Sequence, residues 1–161
     1  MVDDIQSLRS ILGTSRVIAV VGLSAEWYRP SFFAAKYMME HGYTIIPVNP
    51  RHGEILGQRC YRSLPEAAQG CGLKIDIVDC FRRSEDIAPI CDQAIAIGAR
   101  VLWQQIGVKN IEAAKKAEAA GLQAVVDRCV KIEHARLFGG LNWVGVNTRI
   151  VSAKRPQWLA Y

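Results

Sequence analysis

Apolar residues along the chain gather into five short runs, and between the runs they recur every three or four positions. The first run, Val17-Ile18-Ala19-Val20-Val21, closes on Gly22 and is followed by a polar loop over 24–30, an amphipathic stretch over 32–41 and a second run over 44–48. Further runs lie at 75–79, 100–105 and 123–127. Runs that do not alternate apolar with polar predict strands buried on both faces, as a parallel sheet requires. The helical segments between them predict crossovers. The expectation is an α/β fold, a three-layer doubly wound Rossmann-like parallel sheet of about five strands.

Local signals refine the picture. A leading helix is predicted over 3–12, with Gly13 as its stop. Ser31 is placed to cap the helix over 32–41, Pro30 to fix its entry, and Gly42 to supply the left-handed residue at its exit. Pro47 sits awkwardly in the second strand unless its nitrogen faces away from a ladder partner. Residues 54–63 read as an irregular excursion and 64–68 as a turn of helix. Helices are predicted over 84–97, over 111–120 behind an Asn110 cap, and over 131–137. From 138 to 161 the rhythm fails. That tail carries Trp143, Trp158 and Lys154-Arg155-Pro156. It is expected to pack on the domain formed by 1–137 or on a partner subunit, the latter as a homodimer.

Composition narrows the class. A chain of 161 residues, half of them apolar, suits one globular domain. The net charge of +5 comes from Lys and Arg interspersed with Asp and Glu, a pattern that argues against a nucleic-acid surface and suits a small anionic ligand. Five cysteines without a CxxC pair indicate neither a disulfide framework nor a zinc site and fit a reducing cytosol. No leader and no membrane-length apolar run are visible, so a soluble cytoplasmic protein is expected.

In a sheet of this kind the ligand sits beyond the carboxyl ends of the strands. A nicotinamide dinucleotide asks there for G-x-G-x-x-G after the first strand and for an acid after the second. This chain offers Gly22 alone, and Asn49-Pro50-Arg51-His52 where the acid should be. A carboxylate there would repel phosphate, whereas Arg51 can make a charge-assisted contact of roughly 1.5–3 kcal/mol. The edge therefore suits a nucleotide with an extra phosphate near its ribose, either NADP or coenzyme A. Spacing assembles no nucleophile with an oriented base, so no catalytic set is predicted.

Six motifs carry a resemblance: Val-Val-Gly-Leu-Ser at 20–24, Arg-Pro-Ser at 29–31, Pro-Val-Asn-Pro at 47–50, Asp-Cys-Phe-Arg-Arg at 79–83, Trp-Gln-Gln-Ile-Gly at 103–107 and Asp-Arg-Cys-Val-Lys-Ile-Glu-His at 127–134. In order and spacing the chain resembles the small CoA-binding domain family, which is similar to the CoA-binding domain of the succinyl-CoA synthetase α subunit. The resemblance implies that Gly22, Leu23 and Ser24 approach the pyrophosphate and that Arg29 and Ser31 add phosphate contacts. It implies further that Val48, Asn49, Pro50 and Arg51 border the adenosine and its 3′-phosphate, that Phe81 and Arg82 flank the adenine side, and that Ile106 and Gly107 line the pantetheine path. The synthetases add a phosphohistidine domain and a nucleotide-grasping subunit that this sequence lacks. It implies a non-catalytic CoA or acyl-CoA binding protein: a carrier, sensor or regulatory module.

Without the resemblance the same residues have plainer readings. Gly22 simply ends a strand, Arg51 and Arg82 are solvated charges, Phe81 is core, and His134 is a surface histidine. Cys129 is a small buried filler or, if exposed, a partner for the CoA thiol in a mixed disulfide. Asp127 fixes its loop through backbone amides. An NADP-dependent oxidoreductase and an interaction module with a vestigial pocket are the competing functions.

Overall fold

The computed structural model describes residues 1–139. Helix α1 (Ile5–Thr14) leads into β1 (Val17–Val21), α2 (Pro30–Glu40) and β2 (Thr44–Val48). A small hairpin, β3 (Glu54–Ile55) and β4 (Gln58–Arg59), precedes α3 (Leu64–Gly70). Then β5 (Ile77–Cys80), α4 (Ile87–Ala96), β6 (Val101–Gln104), α5 (Ile111–Ala119), β7 (Gln123–Val125) and α6 (Val130–Phe138) complete the fold. The five long strands form one parallel sheet in the order β2-β1-β5-β6-β7. The chain thus winds outward from β1 to β2, then crosses back to β5, so the switch point lies between β1 and β5.

Both faces of the sheet are dry. Ile18, Val20, Ile45, Ile77, Val101 and Trp103 pack under α1, α2 and α6, while Ala19, Ile46, Val78, Leu102 and Ala124 pack under α3, α4 and α5. That is the three-layer doubly wound architecture the apolar runs predict. Pro47 fits because β2 is an edge: its carbonyl accepts from Tyr61 N–H at 3.0 Å on the outer side, where no sheet strand needs its missing amide. Gly42 takes the left-handed conformation expected of it, with φ +89°.

Some local expectations are corrected. The excursion over 54–63 contains an ordered hairpin whose corner, Leu56 and Gly57, is left-handed at both positions (φ 54° and 70°). A leucine there hides the usual turn signal. Gly13 does not stop α1, which runs on to Thr14. Strand β7 ends at Val125 rather than 127, because Asp127 turns away with φ 58°. Helix α2 has no side-chain cap at all, so Ser31 does not cap it. His134 is not a surface residue: it is 7% exposed, its ring edge-on to Tyr37 and Tyr43 and stacked on Phe138. The expected tail from 140 onward lies outside the described residues, and among those described no helix is long and apolar enough to cross a membrane.

Candidate functional site

At the switch point, Gly22 leaves β1 with φ +88°, its amide donating to the Val48 carbonyl at 2.9 Å. A Cβ there would lie 2.5 Å from the Phe81 carbonyl oxygen and 2.8 Å from Arg82 Cδ. Glycine is needed for both the conformation and the close approach of the loops after β1 and β5. Ser24 N–H then donates to Ser31 Oγ at 3.0 Å, and Ser24 Oγ accepts from Glu26 N–H at 3.1 Å. Ser31 therefore ties the loop down from inside the first turn of α2. The uncapped helix start, with its positive dipole end, borders the opening.

Asn49 joins the loops after β1 and β2. Its Nδ2 donates to the Leu23 carbonyl at 2.9 Å, and its Oδ1 accepts from Arg51 N–H at 2.9 Å. Between them opens a cleft of about 530 Å³, lined by Gly22, Ser24, Glu26, Arg29, Pro30, Ser31, Asn49, Arg51, His52, Phe81 and Arg82. A second cavity of about 300 Å³ shares Gly22 and Arg82 with it and is walled mainly by Val21, Val48, Pro50, Leu64 and Ile90. The first is polar and cationic, the second largely apolar.

The charges are unequally committed. Arg29 Nε meets Glu26 Oε2 at 3.0 Å, and that bond holds the Glu26 carboxyl below its ordinary range. Arg82 stands 3.8 Å from Asp86, a loose pair. Arg51 has no ion-pair partner among the described residues. Three guanidinium groups against one carboxylate make the cleft a seat for a polyanion. A cavity of about 480 Å³ beside α1 and α6 differs in kind: its Arg128 and Arg136 are bound to the buried Glu133, and Asp3 and Asp4 share its wall.

Of the residues singled out in the sequence, Gly22, Ser24, Arg29, Ser31, Asn49, Arg51, Phe81 and Arg82 meet around the cleft, and Val48 and Pro50 around the cavity beside it. Leu23 does not: it is fully buried in the core, and only its carbonyl serves the site, through Asn49. Ile106 and Gly107 line neither cavity. They lie past β6, where Gly107 N–H donates to Asp127 Oδ1 at 2.7 Å, so Asp127 fixes that loop as expected. Sequence reasoning missed Glu26 in the cleft and Leu64 and Ile90 in the apolar cavity, which come from crossovers with no motif of their own. It also passed over Asp79, fully buried beneath the edge, which accepts from Gln105 Nε2 at 2.6 Å and is pushed up to about 7 by burial. Its signal was an acid closing the run over 75–79, which also carries Asp76. Among the described residues no cluster of His, Cys, Asp or Glu suits a metal ion.

Comparison with known proteins places this geometry. The family described as CoA binding domain matches residues 16–135, well over half of the chain. The uncharacterized protein YneT of Bacillus subtilis (strain 168) is 40% identical over 128 residues, which cover 80% of this chain and 92% of that protein. A hypothetical protein from Pyrococcus horikoshii OT3 superposes with a TM-score of 0.79 at 40% identity, covering 85% of this chain and 94% of its own. The dinucleotide-forming acetyl-coenzyme A synthetase 1 of Ca. Korarchaeum cryptofilum shares the fold, with a TM-score of 0.61 at 19% identity over 74% of this chain and 28% of the synthetase. The sheet, the cleft at its switch point and these matches agree: the chain belongs to the CoA binding domain family.

Proposed function

We propose that the cleft binds coenzyme A or an acyl-CoA and that the protein acts without catalysis, as a carrier, sensor or regulatory module. The observation that carries this reading is the edge after β2. Asn49 organises its backbone and Arg51 stands uncompensated, where a dinucleotide-binding sheet presents an acid to the ribose. In this reading Gly22, Ser24, Ser31 and Arg29 serve the pyrophosphate, Arg51 the 3′-phosphate, and Arg82 the passage to the apolar cavity. Val48 and Pro50 wall that cavity, which takes the adenine, and Phe81 flanks its entrance. All five cysteines are unpaired thiols, consistent with a cytoplasmic setting.

Calorimetry with CoA, dephospho-CoA and NADP tests the proposal. CoA is expected to bind best. Arg51→Ala should weaken CoA by on the order of tenfold while changing dephospho-CoA little, since a charge-assisted phosphate contact is lost in one case only. Equal loss for both ligands would remove Arg51 from the 3′-phosphate. Tight NADP binding without CoA binding would overturn the reading in favour of an oxidoreductase.

A further inference from the structure

Glu26 is the one acid in the wall of the cleft, facing the guanidinium groups of Arg29, Arg51 and Arg82. The turn that carries it aims it at Arg29. Ser24 Oγ accepts from Glu26 N–H at 3.1 Å, the Glu26 carbonyl accepts from Arg29 N–H at 3.0 Å, and across the same turn the carboxylate Oε2 accepts from Arg29 Nε at 3.0 Å. The guanidinium carbon of Arg29 also lies 5.7 Å from the Tyr28 ring. Hydrogen bonding to Arg29, and then to Tyr28, holds the Glu26 carboxyl below its ordinary range, so it is charged at neutral pH. Arg29, which serves the pyrophosphate in the CoA reading, is thus already engaged by an anion of the protein's own.

A carboxylate and a phosphate oxygen cannot both hold the Nε–H of one guanidinium at full strength, and two anions side by side repel. Nothing traps Glu26 where it stands. Its side chain is 52% exposed and that of Arg29 is 59% exposed, so the carboxylate can turn into water while Ser24 keeps the backbone of the turn. An exposed pair of this kind changes an equilibrium by at most about fivefold. That is enough to lower a ligand's affinity and too little to exclude it. Resting on the CoA reading of the cleft, we infer that Glu26 is an internal competitor for the pyrophosphate: it holds Arg29 until the diphosphate displaces it, and it takes Arg29 back as the ligand leaves. Being tethered three residues away, the carboxylate recaptures Arg29 whenever the diphosphate loosens, which speeds release. Glu26 therefore sets both the affinity and the residence time of any ligand that depends on Arg29.

The test uses the full chain in phosphate-free buffer, with calorimetry for affinity and stopped-flow mixing for rates, and CoA and dephospho-CoA as ligands. Glu26→Gln should tighten both ligands about threefold, equally, and most of the gain should appear as slower release. Arg29→Ala should weaken CoA about tenfold, and adding Glu26→Gln to it should bring no gain, because the contested group is gone. Unchanged or weaker CoA binding in Glu26→Gln overturns the inference. So does an equal gain with and without Arg29, which is the mark of general repulsion, and so does a gain confined to CoA, which would put Glu26 at the 3′-phosphate. If the double variant binds too weakly to measure, the rates of Glu26→Gln decide: faster association with unchanged release means steering by charge and overturns displacement. CoA binding that ignores Glu26 leaves the CoA reading intact, whereas failure of the wild type to bind either ligand overturns that reading itself.

Discussion

At the amino end of the sheet, where α1, α2 and α6 terminate, the side chains of Arg9, Arg16 and His41 are tied to helix ends. Arg9 Nη2 donates to the Leu137 carbonyl at 2.8 Å, Arg16 Nη1 to the carbonyls of Gly13 and Ser15 at 3.0 and 2.7 Å, and His41 Nδ1 meets the Tyr37 carbonyl at 2.7 Å. At the carboxyl end the arrangement is inverted. Loops are secured by neutral groups, Ser31 and Asn49, and the guanidinium groups of Arg51 and Arg82 are left with weak or no partners. Helix direction explains the difference. Carboxyl termini offer carbonyls that absorb positive charge, whereas amino termini repel it and leave it for an anion. A cation marks a binding site only where the backbone does not claim it.

The largest effect that would break this contrast lies at Gly22. Gly22→Ala must hold a φ of +88° and place its Cβ 2.5 Å from the Phe81 carbonyl oxygen. Left-handed strain and overpacking together should cost about 4 kcal/mol, read as a lower urea midpoint, and should abolish CoA binding. A variant of normal stability that still binds would show that the two loops are not held at this spacing.

Next in size is the pH response, which should have opposite sign at the two ends. Asp79 is pushed up to about 7 by burial, with the Gln105 hydrogen bond opposing. The folded chain therefore holds a proton that the unfolded chain releases near pH 4. Stability from the neutral carboxyl is complete below about pH 4 and is lost as pH rises through about 7. Between pH 5 and 8 the loss is about 3 kcal/mol, two pH units at about 1.4 each. At the other end His134 is pushed below its ordinary value, first by burial and then by the neighbouring His41. Its contribution is present above about pH 6.5 and is lost as pH falls below it. Urea midpoints at pH 5, 6.5 and 8 should show the alkaline loss abolished in Asp79→Asn and the acid loss reduced in His134→Gln. Unaltered slopes in both variants would mean that neither end titrates as described.

Much of the carboxyl end is legible in the sequence. Uninterrupted β-branched runs reveal strands buried on both faces, and Asn49-Pro50-Arg51-His52, with no acid after β2, announces the cationic edge that lines the cleft. Those signals are local. What escaped depends on contacts between distant segments. The partner of Ser31 is the Ser24 amide, set by closure of a loop and not by helix capping. His134 is buried because α6 lies against α2, which no property of residues 131–137 announces. Ile106 and Gly107 stay outside the cleft because Asp127, twenty residues on, draws their loop toward β7. The Asp79 and Gln105 pair exists only through the register of β5 on β6.

The smallest effect is also the one that sharpens the contrast most. Arg9 lies over the Phe138 ring at 5.6 Å while donating to the Leu137 carbonyl, so Arg9→Ala removes a cation from a helix end and nothing from the cleft. The interaction is near the surface, so its loss should cost no more than about 1 kcal/mol in urea unfolding, and less at high salt. CoA affinity should be unchanged. Arg51→Ala should do the reverse, leaving the urea midpoint in place and lowering CoA affinity. Two arginines on one domain, one felt only by stability and the other only by the ligand, would follow from which helix ends they face. If Arg9→Ala weakened CoA, or Arg51→Ala destabilised the fold, the division of cations between backbone and ligand would fail, and the charge of the cleft would belong to the domain as a whole.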